Sequence, residues 1–435
     1  MIIHIVQPGE NIDSIAQTYG VSALRLIQEN GIMNPYSLVP GQTIVITFPE
    51  VTHTVAEGDT LGSIEEEYGI SHMQMLRNNT FLMDREYIYP GETLIIRYAT
   101  YRSITTNGFT YPYINRPTLE RTLPFLTFLS IFNYQIDISG VTSYEDDAPV
   151  IQLAKDYGTI PLMMISTMST RGEPNLDVAF ELLVNEEAQD LAVESLLNIL
   201  REKAYGGINF IINYLTASTQ ELYRSLINRI SYLLRNEGFL FYATINPVSD
   251  DIADIQGIDL SYMQDLVDGV MFMRFVWGIN ANMPGPVSSN VFTTEFVQYL
   301  LNYVSPDKLE VGIPVIGYEW ELPYRETINA HSLTLDSALS LANDVNATIE
   351  FDEVSQTPFF QYYQYVYGYP TQYVVWFTDA RSIEAVLQIV SQYGLSGVGI
   401  WNIMIYCAWL WLIINSQYDI LKLIPDSFQD TEINP

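Results

Sequence analysis

Covalent and acid–base chemistry needs groups that take or give a proton, hold a metal or attack a bond, and this chain carries few of them. Its four histidines and single cysteine, Cys407, form no metal-ligand cluster and no Ser-His-Asp set, and there is no glycine loop of the phosphate-binding kind. No metal and no cofactor is therefore implied. Acids are plentiful, and four fall beside strand-like runs: Glu319 and Glu321, and Asp352 and Glu353. A catalytic carboxyl among them would have to come within about 3 Å of the bond it breaks. Glu319 and Glu321 read more simply as solvated or structural groups. The aromatics Tyr242, Trp277, Trp320, Trp376 and Trp401 offer flat apolar faces on which a ligand ring could stack, although aromatics make up 13% of the chain and commonly serve as core.

Positioning such groups falls to 435 residues, 48% of them hydrophobic, enough for a large core and more than one domain. There are 51 acidic residues against 19 basic ones, and the formal charge of −32 would repel phosphate backbones. That argues against nucleic acid and anionic membranes. It is compatible with a cationic partner, divalent ions or, most simply, solubility. A lone cysteine excludes an intrachain disulfide and fits synthesis in a reducing compartment. The opening Met1-Ile2-Ile3-His4-Ile5-Val6 runs straight into the turn Pro8-Gly9 without a basic segment or a small-residue cleavage site, so no signal peptide is expected. The apolar run 397–414 reaches bilayer length but contains Asn402 and lacks a basic flank; it reads as a buried strand and a helix, not a membrane span.

The first hundred residues repeat themselves. His4 aligns with His53, Val6 with Val55, Gly9 with Gly58, Tyr19-Gly20 with Tyr68-Gly69, Asn30 with Asn79 and Pro40-Gly41 with Pro90-Gly91. Each unit, 1–48 and 50–98, reads as strand-helix-helix-strand. The segments His4-x-Val6-x-Pro8-Gly9-Glu10 and His53-x-Val55-x-Glu57-Gly58-Asp59-Thr60-Leu61 resemble the LysM domain. That resemblance implies binding of N-acetylglucosamine polymers, either peptidoglycan or chitin, with avidity if both copies engage one chain. The contacts it implies are Gly9, Glu10, Asn11, Ile32, Met33 and Asn34 in the first copy and Gly58, Asp59, Thr60, Phe81, Leu82 and Met83 in the second. A purely structural role for these loops stands beside that reading, and Tyr19, Tyr68, Pro40 and Pro90 read as turn and core.

From residue 101 onward, eight strand-like runs (108–112, 124–132, 160–166, 207–215, 239–246, 269–277, 309–317 and 397–403) alternate with amphipathic helical stretches. The expected fold class is α/β: a (β/α)8 TIM barrel over 101–435, preceded by two small α+β repeats. A small α+β insertion is expected at about 324–382, between the seventh and eighth strands, with strands at 347–352, 358–367 and 372–379. The segments Tyr111-Pro112-Tyr113-Ile114, Leu129-Ser130-Ile131-Phe132, Gly312-Ile313-Pro314, Asp352-Glu353 and Trp376-Phe377-x-Asp379-Ala380-Arg381-Ser382 resemble family-18 glycoside hydrolases, and within them the two-LysM N-acetylglucosaminidases of bacterial spores.

The resemblance places catalysis on the fourth strand, in the pattern D-x-x-D-x-D-x-E. The glutamic acid protonates the leaving oxygen, and the aspartate before it orients the substrate's 2-acetamido group, which acts as the nucleophile. Here the stretch is Gly206-Gly207-Ile208-Asn209-Phe210-Ile211-Ile212-Asn213. The acid position is Asn213 and the orienting position Ile211; a carboxamide has no acidic proton and an isoleucine cannot hydrogen-bond. On the sixth strand, Phe275 and Val276 replace a tyrosine and an acid that help hold the acetamido group. Losing the general acid alone costs about 10²–10⁴-fold. The expectation is a non-catalytic glycan-binding protein of the bacterial spore or cell surface whose degenerate barrel serves as scaffold or interaction surface, made in the mother-cell cytoplasm and deposited on the coat or cortex, with other surface proteins or itself as further partners. An active N-acetylglucosaminidase with relocated acids and a self-assembling coat protein are the alternatives.

Overall fold

The computed structural model describes residues 1–85, 87–143, 145–167, 176–213, 215–247, 251–274, 283–325 and 328–428. In the first repeat, Ile2–Ile5 pairs antiparallel with Thr43–Ile46 around the helices Ile12–Tyr19 and Ala23–Asn30. In the second, Val51–Thr54 pairs with Thr93–Arg97 around Leu61–Tyr68 and His72–Asn78. Local chemistry dictates both units. Asn11 and Thr60 cap the first helix of each through reciprocal bonds with Ser14 and Ser63, and Gly20 and Gly69 end those helices in the left-handed region at φ 66° and 63°. A buried asparagine at the matching position of each copy closes the unit. Asn30 accepts from Val45 N at 2.7 Å and donates to Val45 O at 2.8 Å, as Asn79 does with Ile95 at the same two distances.

The barrel strands are β1 (Arg102–Thr110), β2 (Phe128–Asp137), β3 (Ile160–Ser166), β4 (Gly207–Ile212), β5 (Leu240–Ile245), β6 (Gly269–Phe272), β7 (Leu309–Pro314) and β8 (Gly397–Trp401). Each pairs in parallel with the next, and β8 pairs with β1, so the sheet closes. Alternate residues face the axis and stack in layers. The apolar run 397–414 divides into β8 and the helix Ala408–Gln417, and no helix among the described residues is long and apolar enough to cross a membrane.

Among the described residues the insertion is a five-stranded antiparallel sheet with one helix, Leu335–Asp344. Its first strand, Gly317–Leu322, starts earlier than the expected 324. The apolar run through 309–317 hides this boundary, because β7 ends at Pro314 and the chain resumes as strand three residues later, in another sheet.

The repeats are packed against the rest of the chain. A Cβ on Gly41 would lie 2.0 Å from the Ile349 carbonyl oxygen of the insertion, Ile349 N donates to Pro40 O at 2.9 Å, and Asn415 donates to Asn78 at 2.8 Å. Arg77, fully buried beside the barrel, donates to Pro124 O at 3.2 Å.

Candidate sugar-binding site at the barrel mouth

Four inward layers define the barrel interior. The lowest holds Thr105, Phe128, Leu162, Tyr242 and Glu310, with Thr105 Oγ1 donating to Glu310 Oε1 at 2.6 Å. Burial pushes the Glu310 carboxyl up to about 7, and its second oxygen has no protein partner. Above lies a polar belt in which Ser130 donates to Asn107 at 2.9 Å, Asn209 to Ser130 at 3.0 Å and Thr244 to Asn209 at 2.7 Å. The third layer is apolar: Ile211 is 1% exposed and packs in one cluster with Phe109, Tyr111, Phe132, Met164, Met271, Met273 and Trp401. At the C-terminal end of β4, the side chain of Asn213 is committed at both ends. Its Oδ1 accepts from Asn246 at 2.8 Å and its Nδ2 donates to Ser166 at 3.2 Å, while Tyr223 OH donates to its backbone carbonyl.

Where acid–base chemistry is expected, the geometry therefore offers a hydrophobic lid over a hydrogen-bonded belt, topped by a fixed carboxamide. Four other described carboxyls have hydrogen-bond partners of their own. Glu310 lies four residues below Pro314 on its own strand, about 13 Å along it, and so is remote from the mouth. Glu319 accepts from Tyr362 and His331 within the insertion sheet, Asp352 caps the turn at Ser355, and Glu353 meets Gln356.

The aromatic candidates separate. Trp401 belongs to the mouth: it meets Phe109 edge-on at 6.0 Å and Tyr111 at 6.2 Å, and Tyr111 stacks on Tyr113 at 5.2 Å. Tyr113, 66% exposed, extends that surface to solvent. Tyr242 is not at the mouth; its ring lies in the lowest layer against Phe128, where Gly269 leaves room for it. Trp320 is not there either, being core of the insertion beside Tyr318 and Val374. Trp376 stacks on Phe359 at 4.5 Å in the same sheet. A strand run alone does not reveal its height in the barrel or the layer each of its residues joins. Phe275, Val276 and Trp277 lie outside the described residues.

Within the repeats, several expected contacts carry structural duties. His4 bridges Glu10 at 2.8 Å and Tyr19 at 3.1 Å, and His53 repeats this with Asp59 at 2.9 Å and Tyr68 at 3.2 Å. Backbone N–H groups of Gln7 and Ala56 hold the Glu10 and Asp59 carboxyls below the usual range. The Asn11 and Thr60 side chains are spent on capping, so that loop can offer a ligand mainly its backbone at Gly9 and Gly58, both of which face open space. Leu82 is 3% exposed and Met83 packs against the barrel core, whereas Ile32, Met33 and Phe81 line a cleft toward the barrel and Ile32, Met33 and Asn34 a second one toward the insertion. The residues that sequence reasoning missed are the polar belt and the segment after Trp401. Lone polar residues inside apolar strands, Asn107, Ser130 and Thr244, were the available signal.

A closed eight-stranded parallel barrel with this mouth, carrying two strand-helix-helix-strand repeats, defines a glycosidase-type scaffold with LysM modules. The model of the glycosyl hydrolases family 18 matches residues 95–404, and that of the LysM domain matches residues 4–47 and 53–97. This chain belongs to glycosyl hydrolase family 18 and carries two LysM domains. It is 30% identical over 436 residues to the cortical fragment-lytic enzyme of Bacillus subtilis (strain 168), covering 97% of this chain and 99% of that one. It is 27% identical over 429 residues to the cortical fragment-lytic enzyme of Bacillus anthracis, covering 96% and 98%. Among solved structures, the spore cortex-lytic enzyme SleL of Bacillus megaterium QM B1551 shares the fold with a TM-score of 0.78 at 24% identity, covering 97% of this chain and 99% of that chain.

Proposed function

We propose that this protein binds N-acetylglucosamine glycan of the spore, peptidoglycan above all, through its LysM pair, and that its barrel serves as a scaffold or interaction surface without cleaving the glycan. The observation that carries this reading is the paired loss at the end of β4: Ile211 is sealed among seven apolar side chains, and the Asn213 amide is locked between Asn246 and Ser166. Neither group can donate a proton or steady an oxazolinium. The LysM pair and the family relationship support the ligand class, and the cortex-lytic relatives support a location at the spore cortex or coat. Other spore-surface proteins, or further copies of this chain, are the additional partners of this reading.

A second reading, an active glycosidase with a relocated acid, is favoured by the names of those relatives, which are lytic enzymes. The two separate cleanly. Purified protein is incubated with muropeptides and chito-oligosaccharides beside the double variant Ile211→Asp/Asn213→Glu, and is pulled down with purified peptidoglycan. The proposal expects sedimentation with peptidoglycan and no reducing-end release by the natural protein. Turnover that survives changes at Ile211 and Asn213 would establish the second reading, and failure to sediment would remove the glycan-binding claim.

A further inference from the structure

A cleft of about 640 Å³ opens where both repeats, the barrel and the insertion meet, with Leu333 and Leu335 lining it from the insertion. Ile32 and Met33 come from the first repeat, Phe81 from the second, Asn402 and Met404 from the segment leaving β8, and Trp409 from the helix that follows. Its volume lies in the range of small-ligand sites, roughly 300–1,000 Å³. Asn402 directly follows Trp401, and the Met404 side chain packs on the mouth cluster that contains Trp401 and Tyr111. The barrel mouth and the cleft thus share a wall, and the cleft leads from that wall to the loops of both LysM repeats.

We propose that the barrel mouth and both repeats form one continuous groove for a single N-acetylated glycan chain. This rests on the glycan-binding reading above and adds that the LysM pair is part of the barrel's binding site, not a separate tether. Three observations support it. The walls are held in register, because a Cβ on Gly31 would lie only 3.1 Å from Ala408 and the second repeat is tied down by the Asn78–Asn415 bond. Apolar side chains stand at the rim on both sides, with Met33 77% exposed in the first repeat and Ile405 51% exposed in the barrel loop. Such groups suit pyranose faces and acetamido methyls, while the Asn402 amide and the Arg121–Asp84 pair offer polar contacts to hydroxyls. A net charge of −32 favours an uncharged sugar backbone over a polyanion as occupant.

The test is titration of the full chain with a short and a long N-acetyl chito-oligosaccharide, using the natural protein and the exposed-site variants Met33→Lys and Ile405→Lys. The long oligosaccharide is expected to bind the natural protein more tightly than the short one. Each variant should lose about tenfold of the long ligand's affinity, the value of one apolar side chain's burial. Equal circular dichroism and melting of the three proteins shows that folding is not the cause. If the natural protein binds but Ile405→Lys keeps the full affinity for the long ligand, the continuous groove is wrong and glycan binding by the repeats stands. If the natural protein binds neither oligosaccharide nor peptidoglycan, the glycan reading itself fails and this proposal with it.

Discussion

Glu310→Gln tests how the barrel interior is built. Glu310 is enclosed in the lowest layer, one oxygen held by Thr105 and the other without a protein partner, and burial raises its carboxyl from the ordinary 4.5 to about 7. Between those two values the folded chain binds a proton that the unfolded chain has released, so stability falls as pH rises through that window. Below it the group costs nothing by this route; above it the full penalty applies. The shift corresponds to about 3 kcal/mol. Glutamine keeps the shape and the acceptor toward Thr105 but cannot ionise. The variant should match the natural protein near pH 4 and melt about 4 °C higher at pH 8, the shift expected for that energy in a domain of this size. Thermal denaturation followed by circular dichroism across that range measures the gap. A variant less stable at pH 8, or a gap that does not change with pH, would refute the assignment of a buried, unpaired carboxyl.

Gly41→Ala should destabilise far more than Gly91→Ala in calorimetry: both sites have positive φ, but only at Gly41 would the new Cβ strike the Ile349 carbonyl. The expected difference is about 1–3 kcal/mol. Asn30→Ala and Asn79→Ala should each cost about 1–3 kcal/mol by leaving the backbone of Val45 or Ile95 unpaired, measurable as a lowered denaturation midpoint. Because the Glu10 and Asp59 carboxyls are held low, chiefly by backbone N–H groups of Gln7 and Ala56, their contribution is present above the usual carboxylate range and lost as pH falls through the lowered values. The double variant Glu10→Gln/Asp59→Asn should therefore lessen the acid sensitivity of amide-exchange protection in both repeats. Ile211→Asp alone should lower the melting temperature, since it places a carboxyl in a buried, mainly apolar cluster, and an unchanged melt would show that the mouth is open to water.

The sequence by itself determined a great deal here, because its signals are local and periodic. The duplicated His4/His53 and Gly9/Gly58 segments, the capping pairs Asn11–Ser14 and Thr60–Ser63, and the alternation of buried strands with amphipathic helices each follow from neighbouring residues. The absence of carboxyls at Ile211 and Asn213 was legible too, since one strand's spacing of two places both on the inner face. Tertiary structure alone decided the rest. Tyr242 went to the lowest layer and Trp401 to the mouth because height within a barrel depends on where each strand starts relative to its neighbours, which no single strand records. Glu310 became a buried acid only when Thr105 arrived beside it from the other end of the chain. The cleft joining Met33, Phe81 and Trp409 exists because Gly31 and Asn78 dock the repeats onto the helix after β8, a contact between segments more than three hundred residues apart that no periodicity encodes.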